Sequence, residues 1–321
     1  MVPPPLKVTP GIEATRPCVA VMGATATGKS RLGIALAACF RGEIVSMDSR
    51  QVYRGMNIGT GKVGVVERSV VVHHLIDIMD PGETGNAGRH AELTHRAIEE
   101  IHGCGRVPFL VGGTGLYFDA VFHPLVDVDI PPERSRAIRD GFEGRDTNEL
   151  HRELERIDPA RASELSQNDR VRITRALEIH AATGRRPSEL YATPIEGMRY
   201  RWLKLVLTLP RPLLRRRIAE RTRAMFEAGW PDEVRRLIEA GYGPDSPGMR
   251  SLGYGEIAGA IVAGDPPESA LERVVTLTHQ YAKRQETYFR KVKEAVWLDA
   301  SRDDLEEHAT RLVEDFLEIE A

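Results

Sequence analysis

The sequence GATATGKS at residues 23–30 matches the phosphate-loop pattern G-x4-G-K-[ST] at every required position. It follows a short apolar run and precedes a segment with helical apolar spacing. In that context backbone N–H groups and the helix N-terminus surround an anion. We therefore expect Lys29 to neutralise phosphate oxygens and Ser30 to hold Mg²⁺. The motif alone leaves open which diphosphate or triphosphate is bound.

The rest of the chain alternates apolar runs with helical patterns. Strand-like runs lie at residues 17–22, 43–47, 107–111, 202–209 and 295–298. A helical pattern over Glu92–Ile101 separates the second run from the third, and this alternation predicts a parallel sheet with crossover helices. Together with the phosphate loop, it predicts an α/β fold, a P-loop NTPase-like parallel sheet with flanking helices.

The segment from about residue 131 to about residue 197 interrupts this alternation. Its patterns are helical and charge-rich without a convincing strand, and the clearest helix runs over Asp169–Thr183. We therefore predict a helical insertion domain within the core. The predicted divisions are 16–130 for the first part of the core, 131–200 for the insertion, and 201–321 for the return to the core with a C-terminal helical part.

Composition excludes several classes of protein. A net charge of −3 means that any RNA site is a local patch drawn from the 44 Lys and Arg residues. Cys18, Cys39 and Cys104 form no CxxC pair, which argues against a disulfide framework or a zinc site, and we expect them to be buried apolar residues. The chain has no signal-peptide pattern and no apolar run near the roughly 18 residues of a membrane span. We expect a cytoplasmic enzyme with no membrane partner.

Polar residues follow two of the predicted strands at their carboxyl ends. Asp48 comes after the second strand and Gly113-Thr114-Gly115 after the third, so both should converge on the phosphate loop. By its chemistry Asp48 could hold Mg²⁺ through water, bind a substrate hydroxyl, act as a general base, or cap the next segment. Thr114 provides a hydroxyl for a substrate contact, although a tight turn would also explain the glycines.

Seven segments together carry a resemblance to a known family. They are GATATGKS at 23–30, DSRQVYRGMNIGT at 48–60, HHLID at 73–77, GGTGLYF at 112–118, RITRALE at 172–178, Gly253-Tyr254, and KRQETYFR at 283–290. In this order, over about residues 17–300, they resemble the bacterial tRNA dimethylallyltransferases. A generic NTPase shares only the first segment.

The resemblance implies a specific reaction. The phosphate loop would hold the diphosphate of dimethylallyl diphosphate instead of ATP, with Mg²⁺ assisting. The acceptor would be N6 of adenosine 37 in the anticodon stem-loop of tRNA, and diphosphate would leave. The implied catalytic residues are Asp48, which orients and deprotonates the amine, with Thr114 and Arg136.

The resemblance also implies two sets of binding residues. The diphosphate-binding set is Gly23, Thr25, Ala26, Thr27, Gly28, Lys29 and Ser30, with Arg217 and Arg221 as two arginines between which the sequence does not choose. The tRNA-binding set is Asp48, Ser49, Arg50, Gln51, Arg172, Arg175, Arg250, Lys283, Arg284, Gln285 and Arg290. We expect a monomer.

Some residues depart from the family pattern, and alternatives remain. The stretch Gly82–His90 lacks a bulky residue that is usual there, His279 stands where Arg is common, and Tyr288 where Trp is common. Dimethylallyl transfer to AMP or ADP is an alternative, although such enzymes lack the insertion and the basic C-terminal segment. A P-loop nucleotide kinase is a more distant alternative.

Overall fold

The computed structural model describes residues 16–122, 128, 130–191 and 200–318. The chain divides into two compact units, one formed by Met1–Phe122 with Arg199–Ala321 and the other by His123–Met198. The predicted insertion, 131–200, begins eight residues later than the second unit and ends two residues after it. Residues 192–199 of that prediction lie outside the described residues.

The first unit is built on a six-stranded parallel sheet. Its strands are β1 (Arg16–Gly23), β2 (Glu43–Met47), β3 (His73–His74), β4 (Pro108–Gly112), β5 (Tyr200–Thr208) and β6 (Ala295–Asp299). The order across the sheet is β3-β2-β4-β1-β5-β6, and every pair is parallel. The predicted parallel α/β sheet is confirmed, and each of the five predicted strands is present; β3 was not among them.

Helices connect and flank the strands. Those of the first unit are α1 (Lys29–Cys39), α2 (Val65–Val70), α3 (Ala87–Gly103), α4 (Gly115–Phe122), α10 (Arg211–Glu227), α11 (Trp230–Glu239), α12 (Tyr254–Ala263), α13 (Leu271–Phe289) and α14 (Leu305–Glu318), with a 3₁₀ turn at Pro267–Ala270. Those of the second unit are α5 (Pro132–Asp140), α6 (Thr147–Ile157), α7 (Pro159–Glu164), α8 (Arg170–Thr183) and α9 (Pro187–Tyr191).

Apolar side chains cover both faces of the sheet because successive residues of a strand point in opposite directions. In β1, Val19 and Val21 join one cluster, whereas Cys18, Ala20 and Met22 join the other. The first cluster includes side chains of α1, α10 and α14, and the second includes side chains of α3, α4 and α13. Burial on both faces explains why residues 17–22 of β1 and the residues of β4 form continuous apolar runs instead of alternating ones.

A third apolar cluster supports the loop that follows β2. Val52, Tyr53 and Met56 from this loop pack against Trp230 of α11 and Tyr254 of α12. The loop is long but well anchored, so it presents its polar residues in a defined position. Side chains of α6, α7 and α8 form the separate core of the second unit.

The three cysteines differ in their exposure to solvent. Cys18 is buried, but Cys39 and Cys104 are exposed, so the expectation of three buried cysteines was wrong for two of them. Both follow helical patterns at points where the helix ends or has just ended, which is where the chain returns to the surface. Among the described helices, none combines the length and apolarity that crossing a bilayer requires.

Candidate active site

The register of the sheet brings three loops to one edge. Gly112 at the end of β4 pairs with Met22 of β1 and with Met47 of β2. The residues that follow each strand therefore start from the same level, and they carry the phosphate loop, Asp48 and Thr114. This edge is where parallel α/β sheets bind ligands.

The phosphate loop leads directly from β1 into α1. Gly28 precedes α1 with a φ of 93°, a left-handed conformation that glycine adopts without steric cost. Ala26 has a φ of 63°, which is unusual for a residue with a Cβ. Thr27 is buried and its hydroxyl donates to the carbonyl of Ala24 over 2.8 Å, so its side chain holds the loop together from inside.

Lys29 is placed to meet an anion. Desolvation by the surrounding loops, with a smaller contribution from Arg221 and an opposing one from Asp48, lowers the pKa of Lys29 to about 8. Its Nζ donates to the carbonyl of Ala24 over 3.2 Å, a neutral partner that does not compensate the charge. A diphosphate would supply that compensation, which favours binding of such a ligand.

Arg221 on α10 provides the second cation. Its Nη1 donates to Oγ1 of Thr25 over 3.0 Å, and desolvation lowers its pKa. Gly61, with a φ of 59°, leaves room for it, since a Cβ there would lie 1.8 Å from Nη2 of Arg221. Arg217, one turn earlier on the same helix, is not among the described residues that line the cavity.

Asp48 is oriented by its own loop. Its Oδ1 accepts hydrogen bonds from the N–H groups of Arg50, at 2.8 Å, and Gln51, at 3.3 Å. Within the described residues no hydrogen bond engages Oδ2, which leaves that oxygen available to a substrate. Thr114 braces the same loop, because its Oγ1 accepts from the N–H of Ser49 over 3.1 Å.

These residues line one cavity of about 570 Å³ within the first unit. Its polar lining includes Thr25, Lys29, Ser30, Asp48, Ser49, Arg50, Gln51, Thr114, Arg221, Arg250, Tyr281, Arg284 and Gln285. Its apolar lining includes Val111, Ile218, Met225, Trp230, Leu252 and Leu277. The cavity thus combines a cationic phosphate cradle, a carboxylate and an apolar wall.

The remaining predicted residues have different surroundings. Lys283 and Arg290 are exposed, at α13 and directly after it. Gln51 donates through Nε2 to the carbonyls of Thr60 and Gly61, at 3.5 and 3.4 Å, so it braces the loop as well as lining the cavity. Gln285 is buried, and both polar atoms of its side chain are bonded to main-chain groups; its tRNA contact stays a prediction.

Three predicted arginines lie in the second unit. Arg136 is exposed on α5. Arg172 on α8 pairs with Asp169 at 3.2 Å. Because Arg172 is exposed, a ligand can still reach its guanidinium. Arg175 pairs at 3.0 Å with the buried carboxylate of Glu178, which gives Arg175 a structural partner within its own helix.

Sequence reasoning missed several residues around the cavity. Tyr281 on α13 lines the cavity together with Thr114, and burial raises the pKa of Tyr281 to about 12. Glu233 accepts from the N–H groups of Asn57 and Ile58, both at 2.9 Å, and so holds the loop after β2 in place. Trp230 is buried beside Gly59 and Gly253, where a Cβ would overlap its ring. In the sequence, only Gly59 and Gly253 pointed to this packing, because a residue without a Cβ leaves room for an aromatic ring.

The donor chemistry of the cavity fits Mg²⁺. Ser30 offers a hydroxyl and Asp48 a carboxylate, and hard oxygen donors of this kind, completed by phosphate oxygens and water, are what Mg²⁺ prefers. Among the described residues, no group of three or more His, Cys, Asp or Glu side chains could hold a metal by itself.

Comparison with known proteins decides the family. The sequence model described as IPP transferase matches residues 51–292. The chain belongs to the IPP transferase family. This family member is 41% identical over 304 residues to the tRNA dimethylallyltransferase of Roseiflexus sp. (strain RS-1), with 94% of this chain and 99% of the relative covered. It is 43% identical over 303 residues to that of Anaeromyxobacter sp. (strain K), covering 92% and 97%.

Solved structures agree with this assignment. The tRNA isopentenylpyrophosphate transferase of Bacillus halodurans superposes on this IPP transferase with a TM-score of 0.69 at 34% identity, covering 95% of this chain and 99% of that one. A eukaryotic dimethylallyltransferase acting on tRNA superposes with a TM-score of 0.79 at 29% identity, covering 95% and 80%. The predicted family is confirmed.

Proposed function

We propose that this enzyme transfers the dimethylallyl group of dimethylallyl diphosphate to N6 of adenosine 37 in tRNA and releases diphosphate. The observation that carries the proposal is one cavity in which Lys29 and Arg221 lie at the phosphate loop, together with Asp48, whose Oδ2 accepts no hydrogen bond from the part of the chain that the structure describes. The cations alone would suit any diphosphate or triphosphate, and the carboxylate adds an acceptor for a proton from an amine.

The reaction forms one bond and breaks another. The N6 amine bonds to the terminal allylic carbon while the bond from that carbon to the diphosphate oxygen breaks, and the electron pair leaves with the diphosphate. Positive charge spreads over the allyl unit and negative charge grows on the leaving oxygen. Lys29, Arg221 and the loop N–H groups stabilise that oxygen by fixed charge and dipoles. Asp48 orients the amine and accepts one of its protons.

Ser30 would hold Mg²⁺ together with the diphosphate, and the ion would supply further neutralisation of the leaving group. Thr114 keeps the Asp48 loop in place through Ser49, so its contribution is to the alignment of the base. Arg136 stays a prediction as a further diphosphate contact. The apolar wall formed by residues such as Met225 and Trp230 would accommodate the five-carbon chain and exclude water.

The acceptor adenosine must leave the stacked anticodon loop to reach Asp48. Arg50, Arg250 and Arg284 line the cavity and are exposed, so they can contact RNA phosphates around an extruded base. Lys283 and Arg290 add further exposed basic side chains on the first unit, and Arg172 stays a prediction as a tRNA contact. We propose that the enzyme works as a monomer in the cytoplasm.

The test compares three acceptors under the same conditions. The purified enzyme is incubated with labelled dimethylallyl diphosphate, Mg²⁺ and an anticodon stem-loop with adenosine 37, the same stem-loop with guanosine 37, or AMP. We expect product with the first only, identified as an N6-modified nucleoside after digestion. Product with AMP alone would replace the proposal by adenylate prenylation, and rapid ATP hydrolysis without prenyl transfer would overturn it.

A further inference from the structure

Gln285 connects the phosphate loop to the loop after β4. It lies on the buried side of α13 and is 6% exposed. Its Oε1 accepts from the N–H of Thr25 over 2.9 Å, and its Nε2 donates to the carbonyl of Gly113 over 2.8 Å. A single planar amide thus joins two loops that start from different strands.

The surroundings are shaped to admit this amide. A Cβ at position 113 would lie 2.4 Å from Nε2 of Gln285, so glycine is required for the contact. Among side chains, only Gln and Asn offer a donor and an acceptor in one planar amide. Asn is shorter by one carbon–carbon bond, about 1.5 Å, and would not span the gap.

The side-chain amide of Gln285 acts on the phosphate loop through Thr25. With its N–H held by Gln285, Thr25 presents its hydroxyl to Nη1 of Arg221, and the backbone turns that follow bring Lys29 into the cavity. A loop that is already ordered before the anion arrives avoids an entropic cost on binding. One turn earlier on α13, Tyr281 lines the same cavity as Thr114.

The opposite side of the same helix faces solvent. Lys283 and Arg284 directly precede Gln285 in sequence, and both are exposed. Resting on the proposed function, we propose that Gln285 is a positioning residue for diphosphate binding and not an RNA contact. The exposed side of α13 then contacts RNA, and its buried side holds the phosphate loop in its binding conformation.

The test measures the two ligands separately. Gln285→Met keeps the length of the side chain but removes both hydrogen bonds, and Gln280→Met, on the exposed side of α13, is the matched control. The affinity for inorganic pyrophosphate with Mg²⁺ is measured by calorimetry without RNA, the affinity for an anticodon stem-loop by fluorescence anisotropy, and KM for each substrate in turnover. We expect Gln285→Met to weaken pyrophosphate binding roughly 10-fold, from two lost neutral hydrogen bonds. Stem-loop affinity and the control variant should change less than about twofold.

A second substitution removes the same contact from the other residue, so the inference stays testable if Gln285→Met does not fold. Gly113→Ala places a methyl group against the amide from the other side and should weaken pyrophosphate binding similarly. The double variant should then lose little more than either single one, because both remove the same interaction. Unchanged pyrophosphate affinity in Gln285→Met, or a loss of stem-loop affinity in its place, would overturn the inference. Because the pyrophosphate measurement needs no prenyl transfer, a failure of the proposed function would be seen separately, in turnover.

Discussion

The guanidinium of Arg221 lies 3.0 Å from the hydroxyl of Thr25, which brings α10 into contact with the phosphate loop. Arg217 is one helical turn away and is not among the described residues that line the cavity. The two arginines, equivalent by sequence pattern, thus have different surroundings in the folded chain.

This difference predicts unequal effects of substitution. Arg221→Met should raise the dissociation constant for inorganic pyrophosphate by roughly 10- to 100-fold, as expected for a lost charge-assisted contact. Arg217→Met, the matched control, should change it less than about twofold. Calorimetric titration at constant ionic strength measures both. Equal losses would mean that Arg217 also reaches the ligand.

Asp48 should be needed for turnover but not for RNA affinity. Asp48→Asn keeps an oxygen that can accept from the N–H groups of Arg50 and Gln51, so the loop should retain its shape while the base is lost. We expect kcat to fall by roughly 10²- to 10⁴-fold. The dissociation constant for the stem-loop should stay within about threefold of the original, measured by anisotropy. Unchanged kcat would exclude a role as base.

Lys29 should lower the free energy of unfolding of the enzyme at neutral pH. Its pKa is lowered from 10.5 to about 8, so near pH 7 the folded state carries a desolvated charge. Between pH 8 and 10.5 the unfolded chain binds the proton more strongly, and stability rises with pH across that window. Lys29→Met should therefore raise Tm by roughly 3 °C at pH 7. The same variant should abolish turnover, because it removes a cation that neutralises the diphosphate. The difference in Tm should shrink as pH increases toward 10.5, measured by calorimetric melting. A lower Tm for the variant at pH 7 would contradict this prediction.

His90 should make the fold sensitive to acid. It is 4% exposed, stacks on Tyr117 with ring centroids 4.0 Å apart, and bonds through Nε2 to the carbonyl of Ser46. Burial lowers its pKa from 6.5 to about 4. Between these values the unfolded state binds the proton more readily, so the free energy of unfolding falls as pH decreases, by up to about 3 kcal/mol.

Urea unfolding at pH 7 and pH 4.5 measures this effect. His90→Gln keeps a donor for Ser46 but has no proton to gain in this range, so its free energy of unfolding should fall less over the interval. His308→Gln, at an exposed position on α14, serves as the control. Equal losses for His90→Gln and the unsubstituted enzyme would show that other groups account for the acid sensitivity.

The sequence by itself determined the local features of this protein. The phosphate loop, five of the six strands and the helical character of the insertion follow from apolar periodicity and glycine placement, which act over a few neighbouring residues. The same reasoning brought Asp48 and Thr114 to one edge, because the carboxyl ends of parallel strands share that edge. It failed for Cys39 and Cys104, since a single apolar residue does not reveal which side of a helix end it will occupy.

Only the tertiary structure decided which distant residues complete the site. Arg221 contacts a residue 196 positions away, and Gln285 one 260 positions away. Such contacts depend on how α10 and α13 pack against the sheet, to within a fraction of a helical turn. Periodicity tells which face of a helix is apolar, but it does not tell what lies opposite each side chain. For that reason the sequence could not choose between Arg217 and Arg221, and it did not reveal that Gln285 is buried between two loops.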